Sequence, residues 1–171
     1  LDNGSNAAQI NTIPGISGPQ LWYFRNDQGV EAMSFQVQLP HAWVEGTTIY
    51  PHLHWTPRGN NASGNVEWNL EYSWANYDPT TIQVFPSVTT STVVASPASG
   101  NFVQNGHYIT ALTAANAGIA GTGKKISSVL ICRIWRNSSN GADTYNDDAG
   151  VLFMDFHIQI NSWGSRQEYI K

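Results

Sequence analysis

The histidines His52 and His54 have a spacing that suits metal binding. They lie two residues apart in a segment with strand-like alternation, and residues i and i+2 of a strand project from the same face. Two imidazoles on one face can ligate a single ion such as Zn²⁺. The same spacing also fits a hydrogen-bonded polar cluster, or a cluster buried where two subunits meet.

A second pair, Asp155 and His157, has the same spacing near the end of the chain. If its strand lay beside the strand of His52 and His54, three imidazoles and one carboxylate would share a face. These four residues are the candidate metal ligands. The favoured interpretation is a structural cluster, so the sequence predicts no resident metal and no other cofactor.

The segment from Gly46 to His54 resembles the first half of the metal motif of the cupins, a family of jelly-roll proteins. Arg58 and Gly59 stand where that motif places a glutamate, and the second cupin motif is absent. A cupin-like metal-dependent enzyme is therefore an alternative hypothesis and not the main one.

Other residues that could support catalysis lack the required arrangement. Glu67 and Glu71 alternate along one strand, which predicts a solvated face, whereas a glycosidase needs two carboxyls facing each other across its substrate. The acidic residues of 143–148 are rich enough in oxygen for Ca²⁺, but their spacing does not fit an EF-hand loop. Cys132 lies in an apolar run and is predicted to be a buried thiol. We therefore predict a protein that is not an enzyme.

The composition narrows the classes of partner. The 171 residues suit one domain with a substantial core, and only 12% are charged, with a net charge of −4. No basic patch is present, so the sequence predicts no binding to nucleic acid. No apolar stretch is long enough to span a bilayer, so it predicts no membrane partner.

The elements that must position these residues are strands. Period-two alternation between turn signals predicts strands over residues 29–39, 48–56, 65–77, 82–95, 106–112, 126–135 and 151–160. Residues 126–135 are almost continuously apolar, which predicts burial on both faces. No amphipathic helix is evident. The predicted fold is all-β, a two-sheet jelly roll or β-sandwich of about eight antiparallel strands.

Residues 1–20 show no hydrophobic periodicity, which predicts an extended N-terminal arm. A single β-sandwich domain over residues 21–171 is predicted to follow it. Spaced isoleucines in the arm predict docking against a partner, and three tryptophans near strand ends predict contact with a partner or a glycan. The predicted contact residues are Ile10, Ile13, Ile16, Trp22, Trp43 and Trp163. Trp55, Trp68 and Trp74 fall on faces predicted to be buried.

Four segments together are similar to a known protein family: LPHAWVEGTTIYPHLHWTP, GNVEWNLEYSWANY, GTGKKISSVLICRIWR and FMDFHIQINSWGSRQEYIK. In this order they resemble a family of small virion proteins of tailed bacteriophages, similar to capsid decoration, or cement, proteins. The resemblance implies a jelly-roll domain on the outer surface of the capsid. It also implies a homotrimer that bridges neighbouring major capsid subunits, so its partners are itself and the major capsid protein. A tail or neck accessory protein and a glycan-binding module are the alternatives.

Overall fold

The computed structural model of the chain describes residues 6–60, 64–98 and 100–165, and these contain ten strands and one turn of 3-10 helix. The strands are β1 (Asn6–Ala7), β2 (Gln9–Thr12), β3 (Gln20–Phe24), β4 (Val30–Gln38), β5 (Tyr50–Pro57), β6 (Val66–Ala75), β7 (Thr89–Ala95), β8 (Tyr108–Ala111), β9 (Val129–Asn137) and β10 (Ala149–His157). The 3-10 turn covers Ala114–Asn116.

The strands form two five-stranded sheets with the orders β1-β4-β9-β6-β7 and β2-β3-β10-β5-β8. From β4 to β10 each strand lies in the opposite sheet from the strand before it, except that β6 and β7 are neighbours in one sheet. This alternation is the winding of a jelly roll. Every strand pair is antiparallel apart from the short parallel pair of β1 with β4. The predicted all-β sandwich is confirmed.

Part of the N-terminal segment predicted to be an extended arm pairs with strands of the domain. Strand β1 pairs with β4 and β2 pairs with β3, so residues 6–12 contribute to both sheets of the domain. Ala8, between the two short strands, is buried in the core. Residues 6–12 of the arm are therefore part of the domain, although Ile10 remains exposed.

The core lies between the sheets and is rich in aromatic rings. Trp55, Trp68 and Trp74 are buried, as predicted, and the rings of Trp55 and Trp68 lie 5.8 Å apart between centroids. Trp43 is also fully buried, 5.8 Å from Trp74. The prediction that Trp43 contacts a partner is therefore wrong, because its indole fills the core at a position outside the regular strands.

Two predictions about strand faces are also wrong. Strand β9 is not buried on both sides, because Ile131 is 44% exposed on its outer face. Glu67 does not lie on a solvated face: it is buried beside Asn69, whose amide donates to its carboxylate at 3.1 Å. Residues 82–88, at the start of a predicted strand, lie outside the strands, and β7 begins only at Thr89.

The inner face of β9 ends in a buried arginine, Arg136. Its guanidinium donates twice to Asp143, with both nitrogen–oxygen distances 2.8 Å. Its remaining N–H groups donate to the backbone carbonyls of Phe24, Asp147 and Tyr145. All five donors of the guanidinium are therefore satisfied, which is the condition for burying this charge at acceptable cost.

Removal of this buried cation should destabilise the fold strongly. Arg136→Met leaves the Asp143 carboxylate buried without its partner, so we expect the free energy of unfolding to fall by about 3–5 kcal/mol. Urea denaturation followed by tryptophan fluorescence measures the change. The matched control is Arg133→Met on the same strand, where the partly exposed pair with Glu71 should contribute less than about 1 kcal/mol. Equal losses in the two variants would contradict the prediction.

Candidate functional site

The four candidate metal ligands lie together on the outer face of the second sheet. Strands β5 and β10 are antiparallel neighbours, with Asp155 opposite His52 and Phe153 opposite His54. Strand pairing therefore joins two short sequence patterns that are separated by about a hundred residues. The register therefore meets the condition on which the four residues could share a face.

Three of the residues form a compact set of possible ligands. One ligand atom each from His52, Asp155 and His157 lies within 4.8 Å of the other two. The rings of His52 and His157 are 4.4 Å apart between centroids, and the Nε2 atom of His157 lies 3.2 Å from Oδ2 of Asp155. The Nδ1 atom of His52 lies 3.0 Å from the backbone carbonyl of Tyr50.

His54 lies deeper than the other histidines and is only 8% exposed. Its Nε2 atom is 3.6 Å from Oδ1 of Asp155, which is longer than a hydrogen bond. Both atoms are buried, and neither has a hydrogen-bond partner among the described residues. The His54 ring stacks on Phe153 with 4.0 Å between centroids.

The fifth member of the cluster is His107, which no pattern in the sequence predicts. Its Nε2 atom lies 2.7 Å from Nδ1 of His54, so one of these two nitrogens donates to the other. His107 precedes β8, which pairs with β5 and brings the two rings together. Only the strand pairing gives this contact, because no short spacing in the sequence links His107 to His54.

The acidic residues of 143–148 do not form an open oxygen site. Asp143 accepts from Arg136, and Asp148 accepts from Arg58 at 2.9 Å. Asp147 accepts from the backbone N–H of Asp148. The carboxylates therefore hold the loop against the sandwich through arginine and backbone donors, which argues against the calcium alternative.

The predicted contact residues differ in their accessibility. Ile10, Ile16, Trp22 and Trp163 are exposed and Ile13 is half-buried, whereas Trp43 is inaccessible. Ile10 and Trp22 are directly opposite each other on β2 and β3. Trp22 also borders a cleft of about 250 Å³ that includes Phe35 and Phe153.

Comparison with known proteins adds no family to this description. No family model matches the chain, and neither a curated protein nor a solved structure is detectably similar to it. The resemblance to phage virion proteins therefore stays a prediction, and residues 166–171 of its last segment lie outside the described residues. Within the described part of the chain, no helix is long and apolar enough to cross a membrane.

The thiol of Cys132 should be inert in the folded protein. It is buried in the core, and burial raises its pKa to about 12, so the thiol stays protonated and unreactive at pH 8. Titration with a chromogenic disulfide reagent at pH 8 should label no cysteine in native protein and one per chain in guanidinium chloride. Rapid stoichiometric labelling of the native state would contradict this.

Proposed function

We propose that this protein is a non-catalytic structural protein of a tailed-phage particle, a capsid decoration protein. It acts as a homotrimer on the outer surface of the shell, where it bridges neighbouring major capsid subunits. The observation that supports the proposal is an apolar strip, residues 82–88, which lies against the outer side of β6 in the first sheet and presents aliphatic side chains to solvent.

The hydrophobic side chains of the apolar strip are unusually exposed to solvent. Ile82 is 92% exposed, Val84 is 81% exposed and Val88 is 59% exposed, while Phe85 points to a cleft beside Ala75. Singly exposed aliphatic residues are normal on a protein surface, but a contiguous row of them marks an interaction site. Full burial of each of these side chains contributes about 1.5–3 kcal/mol.

The strip is held in place before any partner binds. The hydroxyl of Ser73 on β6 donates to the carbonyl of Pro86 at 2.6 Å. The turn before the strip is fixed by Asp78, whose carboxylate accepts from the backbone and the hydroxyl of Thr80, and these bonds lower the pKa of Asp78. A preordered strip loses little conformational entropy on binding, which favours a stable contact.

The backbone of the strip is also available for pairing. Among the described residues, no backbone–backbone hydrogen bond joins residues 82–88 to another part of the chain. Pro86 has no N–H and its carbonyl accepts from Ser73, but a segment whose other N–H and C=O groups are open can bind a neighbouring chain as an added strand. We assign this contact to a second copy of the protein, since one head-to-tail contact repeated three times closes a ring.

A bridging protein needs further surfaces for the shell, and two sets of exposed residues supply them. Trp163 borders a cleft with Gln38, and Gln38 also borders the cleft beside Phe85, so these two surfaces are continuous. Ile10 and Trp22 form a separate apolar surface on the edge of the second sheet. We assign Trp163, Ile10 and Trp22 to contacts with the major capsid protein. Many weak contacts of this kind stabilise an assembled shell together, because they bind the assembled state.

The trimer contact can be tested by replacing one aliphatic residue of the strip. Size-exclusion chromatography with light scattering should give the wild-type protein three times the chain mass of 18.8 kDa. Val84→Asp places a carboxylate in the apolar contact and should give a monomer with unchanged circular dichroism. Val103→Asp, at another exposed valine, is the matched control and should remain trimeric. A monomeric wild-type protein, or a trimeric Val84→Asp variant, would overturn the assignment.

The role in the particle can be tested separately. Shells assembled without this protein should rupture at a lower temperature than decorated shells, and adding purified protein back should restore the difference. Fluorescence of a dye that binds released DNA measures the rupture. If bare and decorated shells rupture at the same temperature, the protein does not stabilise the shell.

A further inference from the structure

We propose that His52, Asp155 and His157 bind one divalent transition-metal ion of the Zn²⁺ class on the outer face of the second sheet. The site goes beyond the proposed function and does not depend on it. It lies on β5 and β10 of the second sheet, whereas the apolar strip lies against the outer side of β6 in the first sheet.

The geometry is close to that of a coordination sphere. In a tetrahedral site with metal–ligand bonds of about 2.0–2.2 Å, neighbouring ligand atoms are about 3.3–3.6 Å apart. The three ligand atoms here already lie within 4.8 Å of one another. The His157 side chain is 66% exposed, so its ring is free to adjust toward an ion without disturbing the core.

The donor set indicates the class of ion. Two imidazole nitrogens and one carboxylate oxygen suit Zn²⁺ and its neighbours in the transition series. Ca²⁺ and Mg²⁺ prefer oxygen ligands alone, and the cluster offers only the oxygens of Asp155. Three protein ligands leave a coordination position for water or for a side chain of another molecule.

His54 and His107 are placed to orient the carboxylate of Asp155. If Nε2 of His107 donates to Nδ1 of His54, then Nε2 of His54 carries its proton and points to Oδ1 of Asp155, 3.6 Å away. At 3.6 Å this contact is an electrostatic attraction and not a hydrogen bond. Groups behind metal ligands commonly orient them, and loss of such a group lowers metal affinity by about 10–100-fold. His54 is therefore a positioning residue of the site.

The two oxygens of the Asp155 carboxylate have different surroundings, which indicates which of them would bind the ion. Oδ1 of Asp155 and Nε2 of His54 are buried without a hydrogen-bond partner among the described residues. The opposite oxygen, Oδ2, lies 3.2 Å from Nε2 of His157, so it is the oxygen that faces the other two ligands. The negative charge of Asp155 would neutralise part of the charge of a cation bound at Oδ2.

The experiment is a zinc titration of protein freed of metal with EDTA. Isothermal calorimetry should show one Zn²⁺ per chain, and Co²⁺ should bind at the same site with visible absorption bands typical of nitrogen and oxygen ligands. His52→Ala and His157→Ala should each weaken binding by more than the roughly 10–100-fold that loss of a group behind a ligand costs, because each removes a ligand itself. Asp155→Asn should also weaken it, since it removes the negative charge.

The matched control is His41→Ala, which removes the one histidine outside the cluster. His41 is hydrogen-bonded to Ser127 and Ser165, and its loss should leave zinc affinity unchanged. His54→Gln should lower the affinity by about 10–100-fold while one ion per chain still binds. Thermal unfolding of each metal-free variant checks that the fold is intact.

Two results would overturn the proposal. One is wild-type protein that binds no stoichiometric Zn²⁺ or Co²⁺. The other is binding that survives unchanged in both His52→Ala and His157→Ala. The oligomeric state and the rupture temperature of shells test the proposed function by different readouts, so failure of either idea is distinguishable from failure of the other.

Discussion

The rest of the structure depends on the buried guanidinium of Arg136. This group ends the inner face of β9 in the first sheet and donates to Phe24 at the end of β3 in the second sheet. It also binds Asp143 and two carbonyls of the loop that leads into β10. A buried charge is costly unless all its donors are paired, so the loop has little freedom to move away. One side chain thus joins the sheets and fixes where β10 begins.

An irregularity near the start of β10 determines which of its side chains lie at the candidate metal site. Val151 faces the core, so strict alternation would also turn Asp155 and His157 inward. A register irregularity between Val151 and Phe153 interrupts the alternation, and after it Met154 packs against the core instead. A one-residue shift moves every following side chain to the other face. The bulge is therefore what brings Asp155 and His157 to the face of His52.

The sequence was sufficient for features that depend on local alternation, and insufficient for those that depend on distant partners. Strands such as β6 were predicted well because large apolar residues repeat every second position. The burial of Glu67 was missed, because it depends on contacts with Asn69 and with the loop of Asp143. His107 was missed for the same reason, since only the β5–β8 pairing brings it to His54. Strand β3, with its sequence QLWYF, has no clear alternation to signal it.

The proposed adhesive surface and the proposed metal site lie on different sheets, and the physical character of each surface suits its proposed role. The outer side of the first sheet carries an aliphatic strip with mostly open backbone groups, which suits a broad contact with another chain. The outer face of the second sheet places its histidines on two paired strands, where backbone hydrogen bonds limit their relative movement. A metal site needs such fixed ligand positions, whereas an adhesive surface needs area and exposed apolar groups. A jelly roll supplies both because its two outer faces can vary independently while the inner faces share one core.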